Sequence, residues 1–279
     1  MKNRIAGDRE ILFGFWFVLV TIFIGCFTFN AYADEDSLVL DKAAFTIGSF
    51  FGKTDSGLSL GLGTNILGTD INFEKDLGFD DSSSIFRIGG EFRPWRRHQF
   101  GLDYYKLSRS ASKTLNREIE FNGVVYPVNV TVDAFYDTKL LAATYTYWAS
   151  VREKTAFGIS AGLTGYGIDT GLSSPNPLRE TSASTDLPVP LIGAEFRGAI
   201  ATPLRFIAEF MFLPKVTIGD YSGKVYEYSV ELEYRFIKNV GIVGAYSGFN
   251  ADLSVEKTLF FGDVNYDIHG FQLFGRIAF

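Results

Sequence analysis

Apolar and polar positions alternate along most of this chain with a period of two. In the clearest stretch Tyr226, Tyr228, Val230, Leu232, Tyr234 and Phe236 alternate with Glu227, Ser229, Glu231, Glu233 and Arg235. That is a strand with one apolar and one charged face. Phe86, Ile88 and Phe92 alternate in the same way with Arg87, Glu91 and Arg93. So do Phe100, Leu102 and Tyr104 with Gln99 and Asp103, and Ile192, Ala194 and Phe196 with Glu195 and Arg197. Phe206, Ala208 and Phe210 lie opposite Arg205 and Glu209, and Phe271, Leu273, Ile277 and Phe279 lie opposite Gln272 and Arg276. The apolar faces are rich in aromatic residues, and many segments exceed the usual five or six residues of a soluble strand.

The turns give these strands an architecture. Tight links fall at 94–97, 150–153, 201–203 and 238–239; longer links fall between them at 53–83, 111–133, 173–187, 219–222 and 257–263. Short turns at one end and long loops at the other are the asymmetry of a transmembrane antiparallel β-barrel, with the short turns periplasmic and the long loops extracellular. Strands are expected at 43–52, 84–94, 98–110, 134–149, 154–169, 189–200, 204–217, 224–237, 240–255 and 264–279. Ten is even and puts both mature ends on the periplasmic side; eight or twelve strands remain alternatives. Weaker alternation at 56–63 and 69–76 suits an extracellular or strand-extending role. Asn122-Gly123 is a strong hairpin signal, so the strands at 98–121 and 124–149 are expected to run on as a projecting ribbon. Trp95 and Trp148 both fall at short-turn ends, where an aromatic girdle belongs.

The first 33 residues read as an address. Lys2, Arg4 and Arg9 precede an apolar run from Ile11 to Phe29, and Ala31-Tyr32-Ala33 closes it. A basic region, an apolar core and small residues at −3 and −1 make a cleaved signal peptide, processed after Ala33. An uncleaved anchor, or lipid attachment at Cys26, are the alternatives. The mature part, residues 34–279, is one barrel domain, and no run in it reaches the 18 apolar residues of a membrane helix.

Composition excludes several classes. The chain of 279 residues has a net charge of −6, one Cys and two His beside 28 Phe, 14 Tyr and 29 Gly. One Cys builds neither a disulfide scaffold nor a cysteine metal site. An acidic chain without a basic stripe is a poor nucleic-acid binder. Aromatic content this high excludes disorder.

Some residues also carry a resemblance. A terminal Phe279, with Ile277 in phase before it, resembles the insertion signal of Gram-negative outer-membrane barrels. The stretch from Gly68 to Gly78, then Arg97-His98-Gln99-Phe100 and 104–109, is similar to a group of small barrels without assigned function, of general OmpA type. The resemblance implies an outer-membrane location reached by the secretory pathway. The partners it implies are outer-membrane lipid, lipopolysaccharide and the barrel-assembly machinery, with an extracellular ligand left open.

Candidate chemistry lies in the lumen. The inward-facing charged set is Arg87, Glu91, Arg93, Asp103, Arg109, Glu195, Arg197, Arg205, Glu209, Glu227, Glu231, Glu233, Arg235 and Arg276. Such charges inside a narrow, low-dielectric tube are expected to pair into a plug, or else to line a narrow path in which Glu227, Glu231 and Glu233 favour cations. Catalysis is not expected. His98 sits at a short turn, and His269, near Asp267, would need Ser247 or Ser254 to complete a triad. No cofactor or metal site is expected; the acidic runs 34–36 and 80–81 read as solvated charge. The function expected is structural or surface interaction. A narrow uptake channel and a lipid-modifying enzyme are the alternatives.

Overall fold

In a computed structural model, residues 37–62, 69–218, 221–257 and 260–279 are described; the signal segment with Ala31 and Ala33 lies outside them. Ten long strands form a closed antiparallel barrel: β1 Ala43–Leu62, β3 Ser82–Trp95, β4 His98–Thr114, β7 Thr131–Val151, β8 Thr155–Pro175, β9 Leu178–Ala201, β10 Leu204–Ile218, β11 Tyr221–Ile237, β12 Val240–Lys257 and β13 Phe260–Ala278. Each pairs with its neighbour in sequence, and β13 closes on β1 from Ala44↔Ala278 to Leu62↔Phe260. Closure leaves no long edge strand with unpaired backbone groups. Following the register round the barrel from Tyr166 leads back to β8 beside Lys154 rather than to Tyr166 itself. That stagger is the strand tilt every closed sheet requires.

All ten strands fall where the alternation predicts them, and each apolar face points outward. Ile47, Phe51, Ile159, Ile192, Phe236, Phe271 and Leu273 are all exposed, Phe271 by 68%. An exposed apolar surface of that extent in water would aggregate; around a barrel it is a lipid-facing coat. Its edge far from the termini is marked by exposed Lys53, Lys106, Lys139, Lys224 and His269.

The short turns at 96–97, 152–154, 202–203 and 238–239 lie at the end that carries residues 37–42 and Phe279. At the far end the sequence expectation needs correction. The stretch 173–187 is not a loop: β8 and β9 stay paired to Pro175↔Leu178 and project as a ribbon. The ribbon expected at 98–149 forms only as far as Thr114↔Thr131. Beyond it the chain turns inward. Ile119–Phe121 (β5) and Val124–Tyr126 (β6) form a separate hairpin, with Asn122 and Gly123 at φ 48° and 76°. The hairpin forms where Asn122-Gly123 signals it, but Ile119, Phe121 and Tyr126 are fully buried, because their apolar faces fill the barrel mouth.

The chain from 69 to 81 fills the same mouth. Ile71–Asn72 (β2) pairs with β1, and Phe73–Asp76 (α1) follows. The Asn72 side chain accepts from the Lys75 amide, and Glu74 and Asp76 sit in the first turn, both favourable at a helix start. Phe73 packs 5.0 Å from Tyr136 and 5.5 Å from Phe79. With Leu115, Ile119, Phe121, Tyr126 and Leu172 these residues form one apolar cluster, a cap over the lumen.

Candidate functional site: an occluded lumen

Alternation on ten strands turns the charged faces inward, and three levels can be distinguished along the barrel. At the terminal end, residues 37–42 cross the mouth before β1 begins. Arg93 holds them there, donating from Nε to the Asp41 carbonyl at 3.1 Å and from Nη2 to that of Leu40 at 3.2 Å. Val39 and Leu40 are buried against Trp148. Asp41 itself accepts from Arg235 at 2.5 Å and Arg205 at 3.1 Å, with Arg276 at 3.7 Å. Burial alone would raise the Asp41 carboxyl. The Arg235 hydrogen bond and the charges of Arg276, Arg205 and Arg235 outweigh it and hold the group below its ordinary range. Around it Arg235 pairs with Glu233 at 2.5 Å, Arg276 with Glu91 at 2.9 Å, and Arg197 with Glu91 at 3.0 Å and Glu195 at 2.6 Å. Asp41, Glu91, Glu195 and Glu233 thus face Arg197, Arg205, Arg235 and Arg276, with Arg93 held by backbone carbonyls beside them, an arrangement in which buried ions offset each other's desolvation.

Two members of this level escaped sequence reasoning. Asp41 precedes its strand, so it has no place in an alternating pattern; its only signal is a lone acid directly after the apolar run Leu38-Val39-Leu40. Trp148 was expected in the girdle, but it is fully buried inside the barrel. It shares parity with inward Thr146, packs 5.2 Å from the Arg197 guanidinium and donates to Gln99. Gly158 makes room for it: a Cβ there would sit 3.1 Å from its ring. Trp95 does face outward, 5.7 Å from His98.

In the middle level Arg87 pairs with Asp103 at 3.0 Å, lies 3.9 Å from Glu231 and donates to Gln272. Glu209 and Glu227 face the same space, and neither makes an ion pair or hydrogen bond among the described residues. Between the levels remains a cavity of about 230 Å³. At the far end Arg109, also in the expected inward set, secures the cap: it pairs with Glu74 at 2.5 Å and donates to the Asp80 carbonyl. Glu74 in turn accepts from the Ser56 amide and hydroxyl. Arg117 makes a second, more exposed pair with Asp76 at 2.5 Å. The hydrogen bond and charge of Arg117 hold the Asp76 carboxyl low against a partial desolvation that would raise it. The described part of the motif that carries the family resemblance, 69–78, therefore supplies the underside of the cap.

The candidate catalytic residues do not converge. His269 lies on the outer face, 3.1 Å from Asp267. Ser247 points inward and bonds Gln272. Ser254 shares the outer face but stands six residues along β12 from Gly248, the partner of His269, or about 20 Å at strand rise. His98 bonds the Tyr145 hydroxyl at 2.7 Å among outward aromatic rings. Phe279 and Ile277 also point outward, and the Phe279 carbonyl accepts from the Lys42 amide at 2.7 Å.

No protein-family model matches the sequence, and no match was found among curated proteins. Solved structures do match. The outer membrane protease OmpT from Escherichia coli aligns over 86% of this chain and 98% of its own, at 10% identity and a TM-score of 0.50. OprG from Pseudomonas aeruginosa aligns over 88% and 100% at 12% identity, TM-score 0.34. Ail, the attachment invasion locus protein of Yersinia pestis, aligns over 83% and 97% at 9% identity, TM-score 0.35, in its complex with a heparin analogue. At these identities only the fold is shared: a closed antiparallel barrel of the outer-membrane type.

Proposed function

We propose that this chain is an integral barrel of the Gram-negative outer membrane, of general OmpA type and exported by the secretory pathway. Its role in this reading is structural or surface-interacting rather than conducting or catalytic. The observation that carries the reading is occlusion at both mouths. Residues 37–42 and their ion pairs cross one end, and α1 with the β5–β6 hairpin fills the other. The basic edge of the apolar coat supports an orientation with the capped end outside, against anionic lipid. Lys106 and Lys139 are direct cross-strand partners on the outer face, a like-charge pair that is unfavourable alone and suited to lipopolysaccharide phosphate. Phe279, ending β13, is the element offered to the assembly machinery. The β8–β9 ribbon is the surface offered to an extracellular ligand. Planar-bilayer recording of the purified protein tests the reading: no stable conductance steps are expected, and reproducible steps from wild-type protein would replace it with an uptake channel.

A further inference from the structure

We propose that the chamber within the barrel is a binding site for a small organic cation with an apolar body. The inference rests on charge, on unsatisfied polar atoms and on the division of the chamber wall, and it stands apart from the surface role proposed above.

Six carboxylates line the chamber, those of Glu91, Asp103, Glu195, Glu209, Glu227 and Glu231, against three guanidiniums, those of Arg87, Arg197 and Arg276. Every one of these except Glu209 and Glu227 has an ionic partner among the described residues. Glu209 is placed worst. Its cross-strand partner is Glu195, and it also feels the charges of Glu227, Glu231 and Asp103. Like charges directly opposite across a sheet oppose folding, and a carboxylate held away from water without a cation is costly. A cation seated between Glu209 and Glu227 would offset both costs.

A second observation points to the same guest. Among the described residues the Tyr166 hydroxyl, on a side chain only 6% exposed, has no hydrogen-bond partner in good geometry. Among the described residues the Thr138 hydroxyl, one strand away in the same chamber wall, is likewise without a well-aligned partner. Buried polar atoms are nearly always satisfied, so orphans facing a cavity mark where a guest's donor belongs.

The rest of the wall defines the guest's body. Leu140, Ile168, Phe249 and Tyr266 also line the chamber, and Tyr166 packs 5.4 Å from Phe249. An aromatic wall tolerates positive charge: Arg87 already lies 5.4 Å over Tyr105 and 4.8 Å over Phe274. A bare divalent ion fits less well. It would need six or more oxygen ligands, and among the described residues no group of three or more acidic, His or Cys side chains is arranged to hold a metal. A protonated amine donating to Glu209 and Glu227, with an apolar body against Tyr166 and Phe249, meets all of these conditions.

The test uses the full mature chain in detergent, with 2-phenylethylammonium as probe and 3-phenylpropionate as its anionic counterpart. Each is added during refolding from urea and again to folded protein, so that the cap does not limit entry. Binding is followed by calorimetry. Saturable binding of the amine is expected, without binding of the acid. Glu209→Gln and Glu227→Gln should each weaken it by about tenfold or more, the loss expected for a hydrogen bond to a charged group. Tyr166→Phe should weaken it less, and Glu180→Gln, on the exposed ribbon, not at all. Melting temperatures of the variants separate loss of the site from loss of the fold. No saturable amine binding under either protocol, equal binding of the acid, binding indifferent to both Gln variants, or calcium titrating the same carboxylates in place of the amine would each overturn the proposal.

Discussion

Asp41 and Arg235 meet across the terminal mouth of the barrel, the carboxylate accepting from two guanidinium nitrogens at 3.0 and 2.5 Å. Arg205 shares the same carboxylate. Because Asp41 lies outside the strands yet is the hub of the network, Asp41→Asn leaves buried guanidiniums without their counter-charge. That should cost about 3 kcal/mol, as for other buried pairs broken on one side. Its carboxyl is held low in the folded chain. The stabilisation it contributes is therefore fully present above the unfolded value of about 3.9 and lost as pH falls through the folded value. Unfolding in detergent at pH 7 should show the full difference between wild type and Asp41→Asn, and the two curves should converge below pH 4. A constant gap across that range would mean that Asp41 acts through packing alone.

The cap at the opposite end depends on apolar burial. Phe121 is fully buried in the cluster beneath the hairpin, so Phe121→Ala should cost about 3 kcal/mol. The loss should be local, because the barrel wall does not need the hairpin to close. On intact cells the Asn122-Gly123 turn should resist protease in the wild type, where the Asn122 side chain donates to the Ser182 carbonyl. It should be cut in the variant, while barrel melting changes little. Cleavage at equal rates in both would show that the hairpin is not docked.

Two arginines secure α1, and they should not be equivalent. Arg109 makes a nearly buried pair with Glu74, its side chain 7% exposed, whereas Arg117 is 44% exposed at Asp76. An exposed pair contributes under about 0.5 kcal/mol after screening. A buried carboxylate stripped of its partner costs several-fold more. Hydrogen exchange across 69–81 should therefore rise strongly in Arg109→Met and hardly at all in Arg117→Met, and raised salt should reproduce only the weaker effect. Equal protection in both variants would remove the latch assigned to Arg109.

The wall was legible in the sequence and the plugs were not, for one reason. A barrel strand repeats every two residues, so residues such as Tyr226 to Phe236 declare both their conformation and their facing. The inward parity of Glu209 and Arg276 follows directly. Asp41 lies before the first strand, and Phe73 and Phe121 lie in stretches that alternate only briefly, so what they do is set by where the chain folds afterwards. Asn122-Gly123 announced a hairpin but not its direction, because a tight turn fixes the twist between two strands and says nothing about the surface they cover. Direction came from Ile119, Phe121 and Tyr126, apolar residues that would otherwise stand in water. Trp148 was misplaced for a related reason. Its position at a short turn suggested the girdle, while its parity with Thr146 already pointed inward.

The outer face yields a last prediction. Lys106 and Lys139 oppose each other on β4 and β7, both exposed, at the far edge of the apolar coat. Among the described residues neither makes an ion pair such as Lys224 makes with Asp252 at 2.8 Å. Two ammonium groups about 5 Å apart at the backbone form a site for a lipid phosphate, each contributing about 1 kcal/mol near an anionic surface. Protein refolded with lipopolysaccharide should melt several degrees higher than protein in neutral detergent. Lys106→Ser with Lys139→Ser should lose most of that gain while matching the wild type, or slightly exceeding it, in neutral detergent, where the repulsion alone has been removed. Lys224→Ser should keep the gain. A double variant still fully stabilised by lipopolysaccharide would show that the pair faces no phosphate.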